Sequence, residues 1–256
     1  MSHIESEHNG AVLRIALNRP EKKNALTGDM YEALSNLLQQ AEDDAGVRVI
    51  LLHGNGDAFT AGNDLEDFLR KPWKGQKVPP AVHFIRTMAH AKKPVIAAVH
   101  GLAVGVGTTI LLHCDLVYAA DDARFMMPFI NLGIVPEAAS TVLLPTFIGR
   151  QRAAELFLLA APLTAQRAYE MGLVNAVVPR DELLSTATAV AAQLAEKPAG
   201  AVRACKALMK RAFQTEVERA LGEEVATISE RLESPETKEA LSAFLEKRKP
   251  DFSRFS

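Results

Sequence analysis

Residues 93–109 read KPVIAAVHGLAVGVGTT, and they give the first indication of the fold. The apolar run in the first half is typical of a strand that is buried on both faces, as in a parallel sheet. Glycines then interrupt the run, and glycine permits unusual backbone conformations and lets a ligand approach the main chain. The small residues after Gly105 can open a helix whose first N–H groups lack partners. Such groups can bind a developing oxyanion, although a tight strand-to-helix turn without any ligand gives the same pattern.

The segments before this stretch predict a parallel sheet. Residues 11–17 form an apolar run that ends before Pro20, and proline cannot continue a central strand. Thr27 is a candidate N-cap for an amphipathic helix that begins near Gly28, and residues 47–54 are typical of the next strand. Because a strand, a helix and a strand at this spacing favour parallel pairing, we expect an α/β fold.

The second half of the chain first alternates between predicted strands and helices and then becomes almost entirely helical. Residues 123–128 predict a short strand, and residues 131–140 predict a turn that enters a helix. A further strand is predicted at 173–179. The helical pattern from Leu183 onward predicts a C-terminal helical region after a mixed core.

The composition is that of a globular protein with enough apolar residues for a large core. With 256 residues, of which 48% are hydrophobic, the chain can form one large domain or a domain with an appendage. A formal net charge of -2 gives no indication of a nucleic-acid or membrane partner. No segment has the apolar length of a membrane span, and the first residues do not resemble a secretion signal, so we expect a cytoplasmic protein. His113, Cys114 and Asp115 lack the partner spacing of a zinc site, so we expect no metal.

Four motifs in combination resemble the crotonase superfamily, the enoyl-CoA hydratase/isomerase family. They are LNRPEKKNAL at 17–26, FTAGNDL at 59–65, the stretch 93–115 and the stretch 163–179. The resemblance covers essentially the whole chain. It implies a spiral of ββα units at 1–197 that carries the site, and a C-terminal helical trimerisation region at 198–256. It also implies a homotrimer or a dimer of trimers.

The resemblance implies an acyl-CoA thioester substrate and an oxyanion hole made of two main-chain N–H groups. The matching donors are Asn63 and Val106. Val106 is β-branched and disfavoured at positive φ, so we expect ordinary backbone geometry there. Coenzyme A is part of the substrate, and no separate cofactor is implied. Thr109 and Phe129 stand where hydratases of the family carry two glutamates, and neither residue exchanges a proton near neutral pH.

One carboxylate remains near the expected site. Pro136 and Glu137 resemble the catalytic motif of the Δ3,Δ2-enoyl-CoA isomerase branch, in which a single base moves a proton from C2 to C4. Apolar neighbours such as Phe129 and Ile134 should raise the pKa of this carboxyl toward the working pH. From the local sequence alone, Glu137 is equally typical of an acid in the first turn of a helix. A hydratase with an unusual water arrangement and a binding protein without turnover remain alternatives.

Coenzyme A binding in the family relies largely on main-chain atoms, to which basic side chains such as Arg19 can add phosphate contacts. Asp64 is also a candidate cap for a helix starting at Leu65. Residues 70–80 predict a loop, either a lid over the site or a solvated excursion. The implied binding residues, of which the last two reach a neighbouring subunit, are Lys22, Lys23, Asn24, Ala25, Leu26, Ala61, Gly62, Asp64, Leu65, Gly105, Phe129, Pro136, Lys249 and Phe252.

Overall fold

The computed structural model describes residues 3–66 and 78–255, and its strands form two sheets. The strands are β1 (Ile4–Asn9), β2 (Val12–Leu17), β3 (Val49–Gly54), β4 (Val95–Val99), β5 (Leu102–Val104), β6 (Leu116–Ala120), β7 (Arg124–Met126), β8 (Leu163–Thr164) and β9 (Ala176–Val178). The large sheet has the order β1-β2-β3-β4-β6-β9, and the small sheet has the order β5-β7-β8. In the large sheet every pair except β1 with β2 is parallel, which confirms the predicted α/β class.

Helices cover both faces of the large sheet and form the C-terminal part of the chain. Numbered within the described residues, they are α1 (Gly28–Asp43), α2 (Pro80–His90), α3 (Val106–Thr109), α4 (Ser140–Ile148), α5 (Arg150–Leu158), α6 (Ala165–Glu170), α7 (Leu183–Ala195), α8 (Ala199–Arg211), α9 (Gln214–Arg231) and α10 (Pro235–Leu245). The predicted cap of α1 is confirmed, since Thr27 accepts a backbone N–H with its side chain, and Thr164 caps α6 in the same way. None of the described helices is long and apolar enough to cross a membrane.

Strand β4 lies at the centre of the large sheet and is buried along its whole length. Ile96 and Ala98 pack with the alanine face of α7, while Val95 and Val99 pack in the larger cluster that includes α1 and α2. This alternation follows from the two-residue period of a strand. Full burial of each Val or Ile side chain contributes roughly 1.5–3 kcal/mol, so the apolar run predicted from the sequence stabilises both layers of the fold.

From β4 to β7, successive strands alternate between the large and the small sheet. After β4 the chain turns at Gly101 into β5 of the small sheet, and it repeats this step from β6 to β7. Gly101 has a φ of +55°, and a Cβ atom there would lie 2.0 Å from the carbonyl oxygen of Asp57. The corner therefore depends on a residue without a side chain.

Three segments differ from the sequence-based expectation. Strand β1 was not predicted, because its sequence IESEHN is polar, and only Ile4 is buried when it pairs along the sheet edge. The helix predicted after Gly105 is confirmed but short, since α3 gives way to a 3-10 turn at Ile110–His113. Most of the predicted loop at 70–80 lies outside the described residues. Within residues 3–66 and 78–255, no three His, Cys, Asp or Glu side chains cluster in a way that could hold a metal ion.

Candidate active site

The turn between β5 and α3 presents the N–H group of Val106. Gly105 adopts the positive φ of +57°, so Val106 keeps ordinary backbone geometry, as predicted. The N–H groups of Thr108 and Thr109 both donate to the carbonyl oxygen of Gly105. The N–H of Val106 donates to no oxygen within the described ranges, as expected for the first residue of a helix. It is therefore free to bind a ligand.

A second free N–H belongs to Asn63, in the loop that follows β3. The backbone of Leu26 accepts from Asp64 and donates to Gly62, and this bridge leaves the N–H of Asn63 unused within 3–66 and 78–255. Gly62 lies so close to the end of β5 that a Cβ atom would be 2.6 Å from the carbonyl oxygen of Val104. The loop therefore packs directly on the strand that leads to Val106.

Asn63 and Val106 line the same pocket, which has a volume of about 470 Å³. Its lining is mostly apolar and includes residues from the C-terminal helical region, so the pocket is not confined to the predicted core at 1–197. The implied binding residues that line it are Lys22, Ala25, Ala61, Gly62, Asp64, Leu65, Gly105 and Phe129, and the C-terminal ones are Leu232, Thr237, Leu241 and Phe244.

Glu137 lies in a buried turn just before α4 and is not among the residues that line the pocket of Asn63 and Val106. Its side chain is almost inaccessible, and one oxygen, Oε1, has no hydrogen-bond partner among the described residues. Burial, with a further contribution from the negative charge of Glu224, raises the pKa of Glu137 to about 7. The predicted direction of the pKa shift is confirmed. The alternative of a first-turn helix acid does not fit, because α4 begins only at Ser140.

The turn after Glu137 is stabilised from two sides. The carboxylate of Glu224, on α9, accepts the N–H groups of Ala139 (2.7 Å) and Thr141 (3.0 Å). On the other side, His113 Nε2 lies 2.8 Å from the carbonyl oxygen of Ala138. Burial lowers the pKa of His113 to about 4, so the ring is neutral near pH 7 and donates through Nε2. This bond gives His113 a structural role in place of metal binding.

Tyr31 contacts the loop that carries Asn63, and it was not identified from the sequence. Its hydroxyl on α1 donates to the side-chain oxygen of Asn63. Burial and the nearby charge of Glu137 raise the pKa of Tyr31 well above its usual value, so the hydroxyl stays protonated. The only signal for it in the sequence is a phenol within the apolar stripe of α1, which is also typical of ordinary core packing.

Several implied coenzyme A contacts are replaced by internal ones. Arg19 Nη1 lies 2.6 Å from Asp64 Oδ2, so Asp64 forms an ion pair besides any capping role. Asn24 is fully buried, and its amide donates to the carbonyl oxygens of Asn55 and Ala58. Leu26 is buried in the bridge to Asn63. Asn24 and Leu26 therefore shape the loop without reaching the pocket.

The other residues implied in coenzyme A binding lie in different parts of the structure. Lys23 is exposed beside the pocket-lining Lys22. Pro136 lies next to Glu137 and does not line the described pocket. Lys249 and Phe252 are exposed near the C-terminus and do not line it either. Their predicted reach into a neighbouring subunit stays a prediction.

The sites of the two hydratase glutamates hold no carboxylate. Thr109 is fully buried, and its hydroxyl lies 3.4 Å from the carbonyl oxygen of Gly105. Phe129 is buried, and its ring packs against Gly105 at the pocket. The Phe129 position is therefore apolar, and the Thr109 position carries a hydroxyl that already has an acceptor.

Comparison with known proteins identifies the family of this chain. The Enoyl-CoA hydratase/isomerase family profile matches residues 7–254. The 1,2-epoxyphenylacetyl-CoA isomerase of Escherichia coli (strain K12) is 36% identical over 261 aligned positions, covering 99% of this chain and 97% of that protein. The 2,3-dehydroadipyl-CoA hydratase of the same organism is 33% identical over 252 positions, covering 98% and 99%. A crystal structure of an enoyl-CoA hydratase/isomerase from Pseudoalteromonas atlantica T6c matches with a TM-score of 0.94 and 40% identity, covering 98% of this chain and 100% of that one. The chain therefore belongs to the enoyl-CoA hydratase/isomerase family of acyl-CoA-processing enzymes.

Proposed function

We propose that this enzyme isomerises a 3-enoyl-CoA to the trans-2-enoyl-CoA, with Glu137 as the single base. The observation that carries the proposal is the buried carboxyl of Glu137, which has one oxygen without a partner in the described part of the chain. Its pKa of about 7 lies near the working pH. A carboxyl with such a pKa is basic enough to remove a proton and acidic enough to return it.

The reaction needs two proton transfers and no other reactant. Glu137 removes a proton from C2, and the electrons of that C–H bond move into the thioester to give a dienolate. The N–H groups of Asn63 and Val106 donate to the dienolate oxygen, and losing one such donor costs about 2.7–4 kcal/mol in other enzymes. Glu137 then returns the proton to C4, the double bond moves from C3–C4 to C2–C3, and the carboxylate is restored.

The distribution of carboxylates favours isomerisation over two-glutamate hydration. Thr109 and Phe129 supply no acid or base. Glu224 is the other acidic residue whose charge acts on Glu137, and it accepts hydrogen bonds with both of its oxygens. Of these two glutamates, only Glu137 has an oxygen without a partner within the described ranges. Of Glu137 and Glu224, Glu137 is therefore the one available for a proton shuttle.

Hydration is the second candidate, and one observation favours it. Ser140 Oγ is buried without a partner in the described part of the chain, and Ser140 lies in the same turn as Glu137. Buried polar atoms of this kind are commonly satisfied by an ordered water molecule. The E. coli relative named 2,3-dehydroadipyl-CoA hydratase supports the same candidate. A water molecule activated by Glu137 would then add across the double bond of a 2-enoyl-CoA.

The test is conversion of 3-hexenoyl-CoA to trans-2-hexenoyl-CoA by the wild type and by Glu137→Gln. We expect the substitution to lower kcat by about 10²–10⁴-fold, because general acid–base catalysis is lost while the side-chain shape is kept. The exposed Glu155→Gln is the control and should retain wild-type activity.

Three results would contradict the proposal. Full activity of Glu137→Gln would remove Glu137 from the reaction. Formation of 3-hydroxybutyryl-CoA from crotonyl-CoA, with no isomerisation, would favour the hydratase. Binding of 3-hexenoyl-CoA with no conversion to the trans-2-enoyl-CoA and no deuterium incorporation at C2 or C4 in D₂O would favour a binding protein without turnover.

A further inference from the structure

The side chain of Glu224 joins the C-terminal helix α9 to the turn that carries Glu137. Glu224 is almost completely buried, with an exposed fraction of 5%. Its Oε2 accepts the N–H of Ala139 at 2.7 Å, and its Oε1 accepts the N–H of Thr141 at 3.0 Å and the hydroxyl of Thr141 at 2.6 Å. The glutamate is therefore bound by three donors from one turn.

This turn needs outside stabilisation because its backbone is unusual. Ala138 and Ala139 have φ values of +65° and +52°, which are disfavoured for residues with a side chain and persist only where the surroundings hold them. Ala139 is also the N-cap of α4, and its methyl group cannot accept the free N–H groups at the helix start. Glu224 accepts two of the N–H groups in this region.

Other neighbours of the turn do not provide a comparable charge. His113 donates to the carbonyl oxygen of Ala138 and is neutral near pH 7, because burial lowers its pKa to about 4. Burial and the charge of Glu137 raise the pKa of Tyr31 on α1, so its hydroxyl stays protonated. Burial raises the pKa of Glu224 as well, while its three donors stabilise the ionised form. Glu224 is therefore the main source of negative charge acting on Glu137.

We propose that Glu224 is a positioning residue for Glu137, which stabilises the left-handed turn and thereby directs the base into the site. The proposal rests on the proposed function only in naming Glu137 as the base. Its second consequence is electrostatic, since the ionised Glu224 disfavours ionisation of Glu137. Removing the charge should therefore lower the pKa of Glu137 toward its ordinary range.

The test compares Glu224→Gln with Glu223→Gln, a matched control on the exposed face of the same helix, where Glu223 pairs with Arg219. The glutamine keeps only one oxygen and cannot accept at both sites. We expect amide hydrogen exchange at Ala139 or Thr141 to accelerate by about tenfold or more. We also expect the ¹³C titration of the Glu137 carboxyl, assigned by its absence in Glu137→Gln, to move to lower pH. Glu223→Gln should change neither.

Kinetics provide the second measurement. If Glu224 directs the base, Glu224→Gln should lower kcat for 3-hexenoyl-CoA by about tenfold or more with a near-normal KM, because a small misplacement of a catalytic group has a large effect on rate. The ascending limb of the pH–rate profile should move to lower pH. If the variant does not fold, Thr141→Val, which removes only the hydroxyl donor, should show faster exchange at Ala139 and a smaller loss of kcat.

Unchanged exchange and an unchanged Glu137 titration in Glu224→Gln would overturn the proposal. If only Thr141→Val can be studied, the same unchanged results in that variant would overturn it. Amide hydrogen exchange in the turn and titration of the Glu137 carboxyl can both be measured without substrate. A wild type without isomerase activity would therefore contradict the proposed function alone, and the role of Glu224 would still be decided.

Discussion

The most unusual residue in this protein is Glu137, because its burial disfavours the ionised form of its carboxyl group. Its pKa is about 7 in the folded protein, compared with an ordinary value of 4.5. Between these values the folded protein binds the proton more tightly than the unfolded chain does, so stability falls as pH rises from 4.5 to 7. Once both states are ionised, the cost to the fold is roughly 3 kcal/mol.

This cost predicts that Glu137→Gln stabilises the protein in a pH-dependent manner. Glutamine removes the buried charge, so the gain in unfolding free energy should be larger at pH 8 than at pH 5 by roughly 2 kcal/mol. Urea unfolding of both proteins at the two pH values measures it. Glu155→Gln, on the exposed surface of α5, should show no such pH dependence. If Glu137→Gln changed the unfolding free energy equally at both pH values, burial would not disfavour ionisation of the Glu137 carboxyl.

At the scale of elements, helix α1 supports both the core and the site. Leu34 and Leu38 belong to the main hydrophobic cluster, and Thr27 caps the helix. On the same buried side, the ring of Tyr31 packs at 5.6 Å from that of Phe84. The hydroxyl of Tyr31 then reaches the side chain of Asn63. A helix that packs on the sheet therefore also contacts the loop that carries Asn63, one of the two proposed oxyanion donors.

Tyr31→Phe tests this link, because it removes the hydroxyl and keeps the ring. We expect a loss of about 1 kcal/mol in unfolding free energy, the usual net contribution of a hydrogen bond. We also expect kcat/KM to fall by about tenfold as the loop loses its orientation. Steady-state kinetics and thermal unfolding provide the readouts, with Tyr169→Phe on the exposed face of α6 as control. Wild-type kinetics in Tyr31→Phe would show that the loop holds its geometry without α1.

At the scale of the whole molecule, the C-terminal helices are part of the structure around the site. Lys206 on α8 is buried, and its Nζ lies 2.6 Å from Asp115 Oδ2 and 2.7 Å from the carbonyl oxygen of Lys93. Asp115 Oδ2 also accepts the N–H of Val95. This ion pair joins α8 to the starts of β4 and β6, while Phe244 and its neighbours line the pocket.

Lys206→Met should therefore destabilise the entire fold. The change leaves the carboxylate of Asp115 without its cation, and loss of one partner of a buried pair costs about 3 kcal/mol or more. Equilibrium unfolding in urea measures the change, and Lys197→Met, at an exposed position, is the control. If Lys206→Met is as stable as the control, the ion pair contributes nothing to the attachment of α8.

Local signals were sufficient for much of the fold. The apolar run at β4, the Thr27 cap and the glycine turn before Val106 were all predicted correctly, because each depends on residues close together in the chain. The rise in the pKa of Glu137 was also predicted, since its apolar neighbours are adjacent in sequence.

Features that depend on distant residues were not predicted. The polar segment of β1 becomes a strand only because β2 offers an unpaired edge. Asn24 seemed available for a ligand, but it is buried by contacts to Asn55 and Ala58. Tyr31 gave only the ambiguous signal of a phenol in an apolar stripe, and Glu224 gave none, because each contacts a segment that lies far away in the chain.

The sequence by itself determined the α/β class, the family resemblance and the one carboxylate that stands where a base is expected. These depend on the spacing of apolar residues, the positions of glycines and short sequence motifs, which can be recognised without knowledge of tertiary contacts. Only the tertiary structure decided that Arg19 pairs with Asp64, that the C-terminal helices line the pocket, and that Glu224 supports the turn after Glu137. The reason is physical, since burial and hydrogen bonding between distant segments exist only once the chain has folded.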